Sequence, residues 1–530
     1  MTTTAAAVKG RDDTLGGSHW VDHVARHAHG NPDGVALRFQ QQSTTWAELR
    51  QRIEALATGL HERGIREGDR VAVLMTNRPE FIESVLATNL LGGIAVPINF
   101  RLSTHEAAHI LADSGARMLI ADSDLAGLVG SMRSDLAPDL ACLVTGGSHQ
   151  AAGPGAESYE NVLATTVCLP DVAIAEHQTA LIMYTSGTTG TPKGAMLSHL
   201  NLLVQSVIAI RTWRLFGDDE VNLAASPLFH IGGLGAVAPM LLIGGTIVIM
   251  PSAQFDAAQT LDVIEAEQVT CTFLVPAQWS LLCAVDSATT RARSMRTISW
   301  GAAPASVSLL ERMADVFPDA AIIAGFGQTE MSPITCVLQA KDATRKIGSV
   351  GRPVPTVAAR IVDEAMNDVA PGEVGEIVYR GPSTMLGYWN NPDATAEAFA
   401  GGWFHSGDLL RADDEGFLYV VDRKKDMIIS GGENIYCAEV ENALAAHPAI
   451  ADVAVIGRKH PQWGETPVAV VVPSGQAPTL EDITEWCRER LASYKKPTDL
   501  VIVDALPRNA AGKVLKGELR ARCGAEQCQP

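Results

Sequence analysis

The stretch around which the chain is organised reads Tyr184-Thr-Ser-Gly-Thr-Thr-Gly-Thr-Pro-Lys-Gly194. The apolar residues 179–183 directly before it predict a buried strand, and apolar side chains return at helical spacing from Ala195 onward. The sequence therefore predicts that a strand leads into a flexible loop and that a helix leaves this loop.

The residues of this loop are suited to bind a polyphosphate. They combine hydroxyl side chains, glycines that let backbone N–H groups approach a ligand, and the positive charge of Lys193. The P-loop of NTPases requires Gly directly before its lysine and Ser or Thr directly after it. Pro192 and Gly194 flank Lys193 instead, so the spacing excludes a P-loop. A surface loop without a ligand stays open on these residues alone.

The composition is that of a globular protein with more than one core. A chain of 530 residues is too long for a single hydrophobic core, so two or more domains are expected. The formal net charge of -19 argues against a nucleic-acid-binding surface, which is normally basic. The nine cysteines show no CxxC spacing, so we expect a reducing cytoplasm and neither a disulfide framework nor a zinc site.

Two segments bear on membrane attachment. Residues 1–17 contain no apolar run, so they predict a mobile tail and neither a signal peptide nor an anchor. Residues 231–250 carry no charge and are long enough to cross a bilayer. Glycines and Pro239 interrupt this segment, which favours two buried elements around a turn. We expect no integral membrane segment, and a peripheral association stays open.

The N-terminal part of the chain alternates between strand-like runs and amphipathic helices. Thr45-Trp-Ala-Glu48 and Ser103-Thr-His-Glu106 are capping boxes that predict helix starts. Apolar runs at residues 71–75 and 118–121 predict strands between the helices. Alternation of this kind indicates an α/β domain with a largely parallel sheet.

Two further motifs follow predicted strands. Trp300-Gly-Ala-Ala-Pro304 and Gly325-Phe-Gly-Gln-Thr-Glu330 each come directly after an apolar run. Their small residues leave room for a flat ring, and open α/β sheets bind ligands at such strand ends. His230, in Phe229-His-Ile-Gly-Gly233, is on its own no more than a histidine of the core.

The C-terminal third begins with a carboxylate and a cluster of charges. Asp408 follows the aromatic run of Gly402-Trp-Phe-His-Ser-Gly-Asp408, where we expect a tight turn. Charges then concentrate in residues 421–426 between two apolar runs, which predicts an exposed hinge between domains. The chain beyond this point is expected to form a compact α+β unit.

These motifs, in this order, resemble the adenylate-forming superfamily, which includes the acyl-CoA synthetases. The resemblance extends from about Trp20 to Arg522 and is greatest to bacterial fatty-acid–CoA ligases, especially actinobacterial ones. It implies a large N-terminal α/β domain of several subdomains and a small, mobile α+β C-terminal domain. The expected boundaries are a tail at 1–17, an adenylation domain at 18–421, a hinge at 422–425 and a mobile domain at 426–530.

The resemblance implies a two-step reaction with ATP, CoA and Mg²⁺. A carboxylic acid, expected to be a medium- or long-chain fatty acid, would form an acyl-adenylate, and CoA would then expel AMP. An aryl-CoA ligase, a fatty-acyl-AMP ligase and a catalytically silent adenylate-binding protein are the alternatives. The partners expected are the small acid, ATP and CoA and no nucleic acid, the location is cytoplasmic, and a homodimer stays open.

The resemblance also assigns site residues. The ATP and AMP site would contain Thr185, Ser186, Gly187, Thr188, Thr189, Gly190, Lys193, Gly301, Ala302, Ala303, Pro304, Gly325, Phe326, Gly327, Gln328, Thr329, Asp408, Arg423 and Lys513. Phe326 would stack on adenine, although the family usually has Tyr there, and Asp408 with Arg423 would bind ribose.

The remaining assignments concern catalysis and the other substrates. Lys513, Thr185 and Glu330 would be catalytic, with Glu330 and Thr185 at the metal, and Lys513 would reach the carboxylate and the α-phosphate. His230, Ile231, Gly232 and Trp300 would line the acyl pocket. Ser430, Gly431 and Gly432 would contact CoA, and Lys425 would be the pivot of the hinge.

Overall fold

The fold is known from a computed structural model of the chain. It describes residues 17–136, 140–147, 149–163, 166–185, 192–252, 255–303, 305–430, 433–488, 490–508 and 514–523. The mixed α/β architecture predicted from the sequence, with a larger N-terminal and a smaller C-terminal part, is confirmed.

The strands of the described residues are given in chain order. They are β1 (Val35–Phe39), β2 (Gln42–Thr45), β3 (Arg70–Leu74), β4 (Ile94–Pro97), β5 (Met118–Asp122), β6 (Ala141–Thr145), β7 (Ala156–Ser158), β8 (Thr179–Thr185), β9 (Lys193–Ser198), β10 (Val221–Ala224), β11 (Thr246–Ile249), β12 (Cys271–Leu274), β13 (Thr297–Gly301), β14 (Ala321–Gly327), β15 (Ile334–Leu338), β16 (Arg352–Pro353), β17 (Ala358–Val362), β18 (Gly375–Arg380), β19 (Gly387–Tyr388), β20 (Phe404–Ala412), β21 (Leu418–Arg423), β22 (Ile428–Ser430), β23 (Glu433–Ile435), β24 (Ile450–His460), β25 (Gly464–Pro473) and β26 (Asp499–Ile502).

The α-helices of the same residues lie between these strands. They are α1 (Trp20–Gly30), α2 (Trp46–Glu62), α3 (Pro79–Leu90), α4 (Thr104–Ser114), α5 (Ala126–Leu136), α6 (Tyr159–Val162), α7 (His199–Trp213), α8 (Ile231–Ile243), α9 (Ala257–Ala266), α10 (Pro276–Cys283), α11 (Ala288–Arg291), α12 (Val307–Val316), α13 (Pro392–Ala398), α14 (Cys437–Ala445), α15 (Leu480–Arg488) and α16 (Lys516–Cys523).

Two large, mainly parallel sheets form the N-terminal part. One has the order β16-β15-β14-β13-β12-β10-β11-β1-β2, and its strands from β14 to β1 are parallel. The other has the order β19-β9-β8-β4-β3-β5-β6-β7, and its strands from β8 to β7 are parallel. Parallel strands covered by helices bury both faces, which explains the continuous apolar runs in the sequence.

The local signals in the sequence predicted several elements well. The side chain of Thr45 accepts a hydrogen bond from the backbone of Glu48 at the start of α2, and Ser103 does the same at α4. The uncharged segment 231–250 folds as α8 and β11, separated by a turn at Gly244 with a φ of +82°. Among the described residues, no helix is both long and apolar enough to cross a membrane.

The prediction that a helix leaves the loop after β8 was wrong in one respect. Residues Lys193–Ser198 form β9, which pairs antiparallel with β8 and also with β19. The helix α7 begins only at His199, because Ser198 caps its first turn by accepting a hydrogen bond from the backbone of Asn201. The loop therefore connects the two strands of a hairpin.

The chain forms two compact units, and each has its own core. The first comprises the residues up to 348 together with 353–358 and 380–397, and the second comprises 349–352, 359–379 and the residues from 398 onward. The antiparallel sheet β17-β18-β20-β21 thus belongs mainly to the second unit, which also contains the sheet β23-β22-β25-β24 with β26. The packing does not divide at the expected boundary of 421 and 422, and the hinge itself stays a prediction.

Candidate active site

The two ends of the loop that was predicted to bind phosphate lie side by side. Thr185 ends β8 and Lys193 begins β9, and the two residues are partners in the antiparallel register. The hairpin is anchored below the loop, because the Tyr184 hydroxyl donates a hydrogen bond of 2.5 Å to Oδ2 of Asp113. The predicted ligands Ser186, Gly187, Thr188, Thr189 and Gly190 lie outside the described residues.

Glu330 joins this hairpin to the end of another strand. It lies in the turn of a 3-10 helix, Thr329–Met331, after β14 and is only 8% exposed. Its Oε1 accepts hydrogen bonds from the hydroxyls of Thr185 at 3.3 Å and Tyr388 at 3.1 Å. Lys193 Nζ lies 5.4 Å from the centre of the Tyr388 ring. A buried carboxylate, two hydroxyls and a cation therefore converge at the base of the phosphate loop.

The chemistry of this group fits Mg²⁺ bound together with a polyphosphate. Mg²⁺ prefers oxygen ligands and is usually held by one or two carboxylates together with water and substrate phosphates. No group of three or more His, Cys, Asp or Glu side chains in the described ranges could hold a metal. Glu330 and Thr185 would therefore have to share the metal with phosphate oxygens. Burial raises the pKa of Tyr388, and the neighbouring charge of Glu330 raises it further, so this phenol stays protonated.

Glycines keep the ends of β13 and β14 open for a flat ligand. Gly301 and Gly325 are partners in the parallel register, and a Cβ on Gly301 would lie 2.2 Å from the carbonyl oxygen of Gly325. A Cβ on Gly325 would instead meet no atom of the described residues closer than 4.0 Å. Phe326 beside it is half-buried. This arrangement suits the expected stacking of a flat base on Phe326.

The residues after Phe326 add polar groups to the same strand end. Gln328 Nε2 is buried and has no hydrogen-bond partner among the residues that the structure describes, which leaves a donor for a ligand acceptor. Thr329 is buried beside it, and Gly327 cannot carry a side chain because a Cβ would lie 1.8 Å from the carbonyl oxygen of Pro333. Of the other predicted residues of this strand end, Ala302 has a positive φ of +64° and Ala303 does not have a positive φ. Pro304 lies outside the described residues.

A cluster around α8 contains part of the predicted acyl pocket. His230 caps α8, and its Nδ1 accepts a hydrogen bond of 3.1 Å from the backbone of Gly232. The imidazole therefore carries its proton on Nε2, and burial lowers its pKa. A Cβ on Gly232 would lie 3.8 Å from the ring of Phe273, and a Cβ on Gly301 would lie 3.3 Å from the same ring. The half-buried Phe273 thus lies between the glycines of the two predicted subsites.

Two other residues predicted for the acyl pocket are placed differently. Ile231 is 1% exposed and is part of the core. Trp300 is 8% exposed and lies in β13 between Ser299, the register partner of Phe273, and Gly301. Because side chains alternate along a strand, Trp300 projects from the opposite face to Phe273. Phe273 was missed because its neighbours in sequence, Thr272 and Leu274, give it the pattern of an ordinary core strand.

The predicted ribose ligands are paired in the second compact unit. Asp408 does not lie on a tight turn, as the sequence suggested, but within β20, where it is the register partner of Arg423 in β21. Arg423 Nε lies 2.5 Å from Asp408 Oδ1, and Asp408 is 2% exposed. The turn-forming signal came from Gly407, whose φ of +71° marks an irregularity just before Asp408.

The strand that carries Asp408 is fixed by a neighbouring carboxylate. Glu376 Oε1 accepts a hydrogen bond of 3.0 Å from the backbone of Gly407, and its Oε2 lies 3.2 Å from Lys424 Nζ and from His405 Nδ1. Burial alone would raise the pKa of Glu376, but the bonds from His405 and Gly407 and the charge of Lys424 lower it.

The residues predicted for the hinge, for CoA binding and for the catalytic lysine lie only partly within the described ranges. Lys425, the expected pivot, is exposed in the turn between β21 and β22, and Ser430 ends β22. Gly431, Gly432 and Lys513 lie outside the described residues. Tyr388 is not among the residues predicted from the sequence, and its hydrogen bond to Glu330 is what places it beside the predicted site residues.

Two known protein families match successive parts of the chain. Residues 24–389 match the family described as "AMP-binding enzyme", and residues 439–513 match "AMP-binding enzyme C-terminal domain". The two matches contain the site residues of the first unit and most of the C-terminal α+β unit.

Individual relatives are similar over nearly the whole chain. A feruloyl-CoA synthase of an Amycolatopsis species is 42% identical over 502 residues, which are 94% of this chain and 98% of that protein. An indoleacetate–CoA ligase of Aromatoleum aromaticum is 39% identical over 508 residues, which are 95% and 97% of the two chains.

A solved structure extends the comparison to the fold. The structure of O-succinylbenzoate coenzyme A synthetase from Bacillus subtilis in complex with ATP and magnesium ion superimposes with a TM-score of 0.81 at 33% identity, covering 94% of this chain and 99% of that one. The chain therefore belongs to the AMP-binding enzymes of the adenylate-forming superfamily, and it is an AMP-forming acid–CoA ligase of the bacterial acyl-CoA synthetase type.

Proposed function

We propose that this ligase activates an aromatic or arylalkyl carboxylic acid with ATP and transfers it to CoA. The observation that carries the proposal is the position of Phe273 between Gly232 and Gly301. Because both positions are glycine, neither one places a side chain against this ring, which a Cβ at either position would approach to within 4 Å. A flat acyl group placed there would contact an aromatic face, and such contacts contribute about 0.5–1.5 kcal/mol beyond the burial of apolar area.

The names of the relatives support an aromatic substrate over the fatty acid expected from the sequence. Feruloyl, indoleacetate and succinylbenzoate are all aromatic acyl groups, and they come from the three relatives described above. A medium- or long-chain alkyl acid would fill the same space without the additional contact to the Phe273 ring. The aryl-CoA ligase, which the sequence left as an alternative, therefore becomes the preferred function.

The first half-reaction needs positioning and charge neutralisation rather than a protein base. The substrate carboxylate is already a nucleophile toward the α-phosphorus of ATP, so catalysis depends on alignment and on preorganised positive charge and hydrogen-bond donors. Lys193 supplies positive charge at the phosphate loop, and Gln328 supplies a buried donor. Mg²⁺, when bound by Glu330 and Thr185, would neutralise phosphate charge.

The second unit supplies the remaining proposed roles. The paired Asp408 and Arg423 would bind the ribose hydroxyls, because a carboxylate accepts two hydrogen bonds well. Lys513 would neutralise charge during adenylate formation, and Ser430 with Gly431 and Gly432 would contact CoA after the hinge at Lys425 has rotated. These roles come from the superfamily resemblance and are proposals for this chain.

The test is a comparison of acids in both half-reactions. Purified protein is incubated with Mg-ATP and, separately, benzoate, 4-coumarate, indoleacetate, hexanoate and palmitate, and pyrophosphate and AMP are followed with and without CoA. The proposal predicts that an aromatic acid gives the highest kcat/KM and that rapid AMP release requires CoA. A preference for hexanoate or palmitate would overturn it, and an adenylate that CoA cannot discharge would indicate an acyl-AMP ligase.

A further inference from the structure

A cluster of charges in the second unit connects the last helix to the predicted hinge. Lys516 and Arg520 lie one turn apart on α16 and face acidic residues of other elements. Lys516 Nζ lies 2.8 Å from Glu441 Oε1 of α14, and an Arg520 nitrogen lies 2.8 Å from Asp426 Oδ1. The side chains of Lys516 and Asp426 are only 14% and 9% exposed, so these are not ordinary surface ion pairs.

Both ends of the turn that contains the predicted pivot are held by α14. We call residues 423–426 the hinge turn, which closes with a hydrogen bond from the Asp426 backbone to the carbonyl of Arg423. Asp422, directly before it, accepts a hydrogen bond of 2.5 Å from the backbone of Cys437. The Cys437 thiol donates to the carbonyl oxygen of Asp426 at 2.9 Å. The first residue of α14 therefore binds the chain on both sides of the hinge turn.

The positive charge of Lys516 offsets the cost of burying the carboxylates of Asp422 and Glu441. Burial raises the pKa of Asp422, and the positive charge of Lys516 acts against that rise. Glu441 is fixed in place because its Oε1 also accepts a hydrogen bond of 2.7 Å from the backbone of Val455 in β24. Burial opposes the charge of Lys516 and would by itself lower the pKa of the ammonium group. The charge and hydrogen bond of Glu441, together with Cys437 and the charge of Asp422, outweigh burial and raise this pKa, so Lys516 is charged in the folded protein.

We propose that Lys516 and Arg520 are positioning residues that hold the hinge turn to α16 and thereby control the first half-reaction more than the second. The proposal rests on the proposed function, because it assumes that two half-reactions occur and that a hinge separates them. In the sequence, α16 begins three residues after Lys513, the residue proposed for adenylate formation. The ion pairs of α16 with Asp426 and Glu441 therefore connect the chain that follows Lys513 to the hinge turn.

The test separates the two half-reactions in matched variants. Lys516→Gln and Arg520→Gln remove one ion pair each, and Arg522→Gln is the control, because Arg522 lies on the same helix and pairs at 3.0 Å with Glu518 at the surface. Adenylation is measured as the burst of pyrophosphate released from Mg-ATP and the best acid. Thioester formation is measured separately by adding CoA to the chemically prepared acyl-adenylate.

The expected result is a change in the ratio of the two rates. Lys516→Gln should slow adenylation roughly 10-fold relative to thioester formation, a coupling of the size found for residues remote from the ligands. Lys516→Arg should restore the ratio, and Arg522→Gln should leave it unchanged. Equal losses in both half-reactions, as expected from simple destabilisation, would overturn the proposal.

A second variant covers the case in which an unpaired carboxylate prevents folding. Glu441→Gln combined with Lys516→Gln removes both charges of this ion pair, and Asp422 keeps its backbone hydrogen bonds from Arg423 and Cys437. The double variant should therefore fold and still show the changed ratio. If the wild-type protein prefers an alkyl acid, the proposed aromatic substrate fails, but the ratio is then measured with that acid. A double variant with the wild-type ratio would refute the role of Lys516 independently of the substrate.

Discussion

Acidification should destabilise the region around α1 and the start of α7, because two histidines are buried there in neutral form. His23 and His199 are only 2% and 3% exposed, so both imidazoles are removed from solvent. They border a cavity of about 10 Å³, which is about the room that one water needs. Burial lowers the pKa of each imidazole from 6.5 to about 3.

The size of the effect follows from the two pKa values. Above pH 6.5 both histidines are neutral in the folded and the unfolded chain, so their contribution to stability is at its maximum. As the pH falls from 6.5 towards 3, the unfolded chain binds protons that the folded chain excludes, and stability is lost. One pKa unit corresponds to about 1.4 kcal/mol, so each histidine costs about 2 kcal/mol at a pH of about 5 and the two together cost about 4 kcal/mol.

The assay has to report on this region rather than on the whole chain. Two compact units need not unfold in one transition, so a single midpoint for the chain would mix them. We therefore propose urea titrations at a pH of about 8 and a pH of about 5, with hydrogen exchange of the peptides that contain α1 and α7 as the readout.

Matched variants show whether the histidines cause the change. Replacement of both His23 and His199 by leucine should abolish most of the pH-dependent difference in these peptides. His29→Leu is the control and should not abolish it, because His29 is exposed on α1, the helix that contains His23. If the doubly substituted protein loses as much stability on acidification as the wild-type protein, the buried histidines are not the cause and the reasoning fails.

Three further predictions concern the site. Glu330→Gln keeps an acceptor for the Thr185 and Tyr388 hydroxyls but removes the negative charge. We expect the rate of adenylation to fall about 100-fold and its Mg²⁺ dependence to weaken, as measured by pyrophosphate release at varied Mg²⁺. An unchanged rate would exclude a metal role for Glu330. Phe273→Leu should lower kcat/KM for aromatic acids by roughly 2- to 10-fold and spare alkyl acids, whereas a uniform loss would argue against stacking. Asp408→Asn should raise the KM for ATP by roughly 10-fold without changing that for the acid, and equal changes in both would contradict a ribose contact.

Local signals in the sequence predicted the helix starts and the two elements around a turn in segment 231–250. The capping boxes at Thr45 and Ser103 act within one turn of helix, so nothing distant can change their meaning. Glycines within residues 231–250 likewise end α8 and allow the turn before β11. Sequence reasoning succeeds where the interacting groups are neighbours in the chain.

Pairing between distant residues explains what the sequence could not provide. The strand β9 forms because it pairs with β8 and β19. Its six residues do not show a clear strand pattern, and the helical spacing of the residues after them led to the prediction of a helix. The sequence predicted a turn at Asp408. Its position opposite Arg423 depends on the register of β20 and β21, which the sequence does not show.

The composition of the acyl subsite had the same limitation. We propose Phe273 for this subsite because β12 pairs with β13 and the Phe273 ring lies near Gly232 at the start of α8. The side chain of Trp300 projects from the opposite face of the sheet, because side chains alternate along a strand. The nucleotide motifs were easier to place, because Glu330 and the glycines 301 and 325 lie directly at the ends of predicted strands. The proposal of an aromatic acid rests on this packing and on the relatives, and neither could be obtained from the sequence motifs.

The measurement that tests the central claim most directly is a competition between acids in one reaction. The protein is given limiting Mg-ATP, excess CoA and equal concentrations of 4-coumarate, indoleacetate, hexanoate and palmitate, and the CoA thioesters are quantified by mass spectrometry. The account predicts that an aromatic thioester dominates and that AMP forms in equal amount to total thioester. A product dominated by hexanoyl-CoA or palmitoyl-CoA would contradict it.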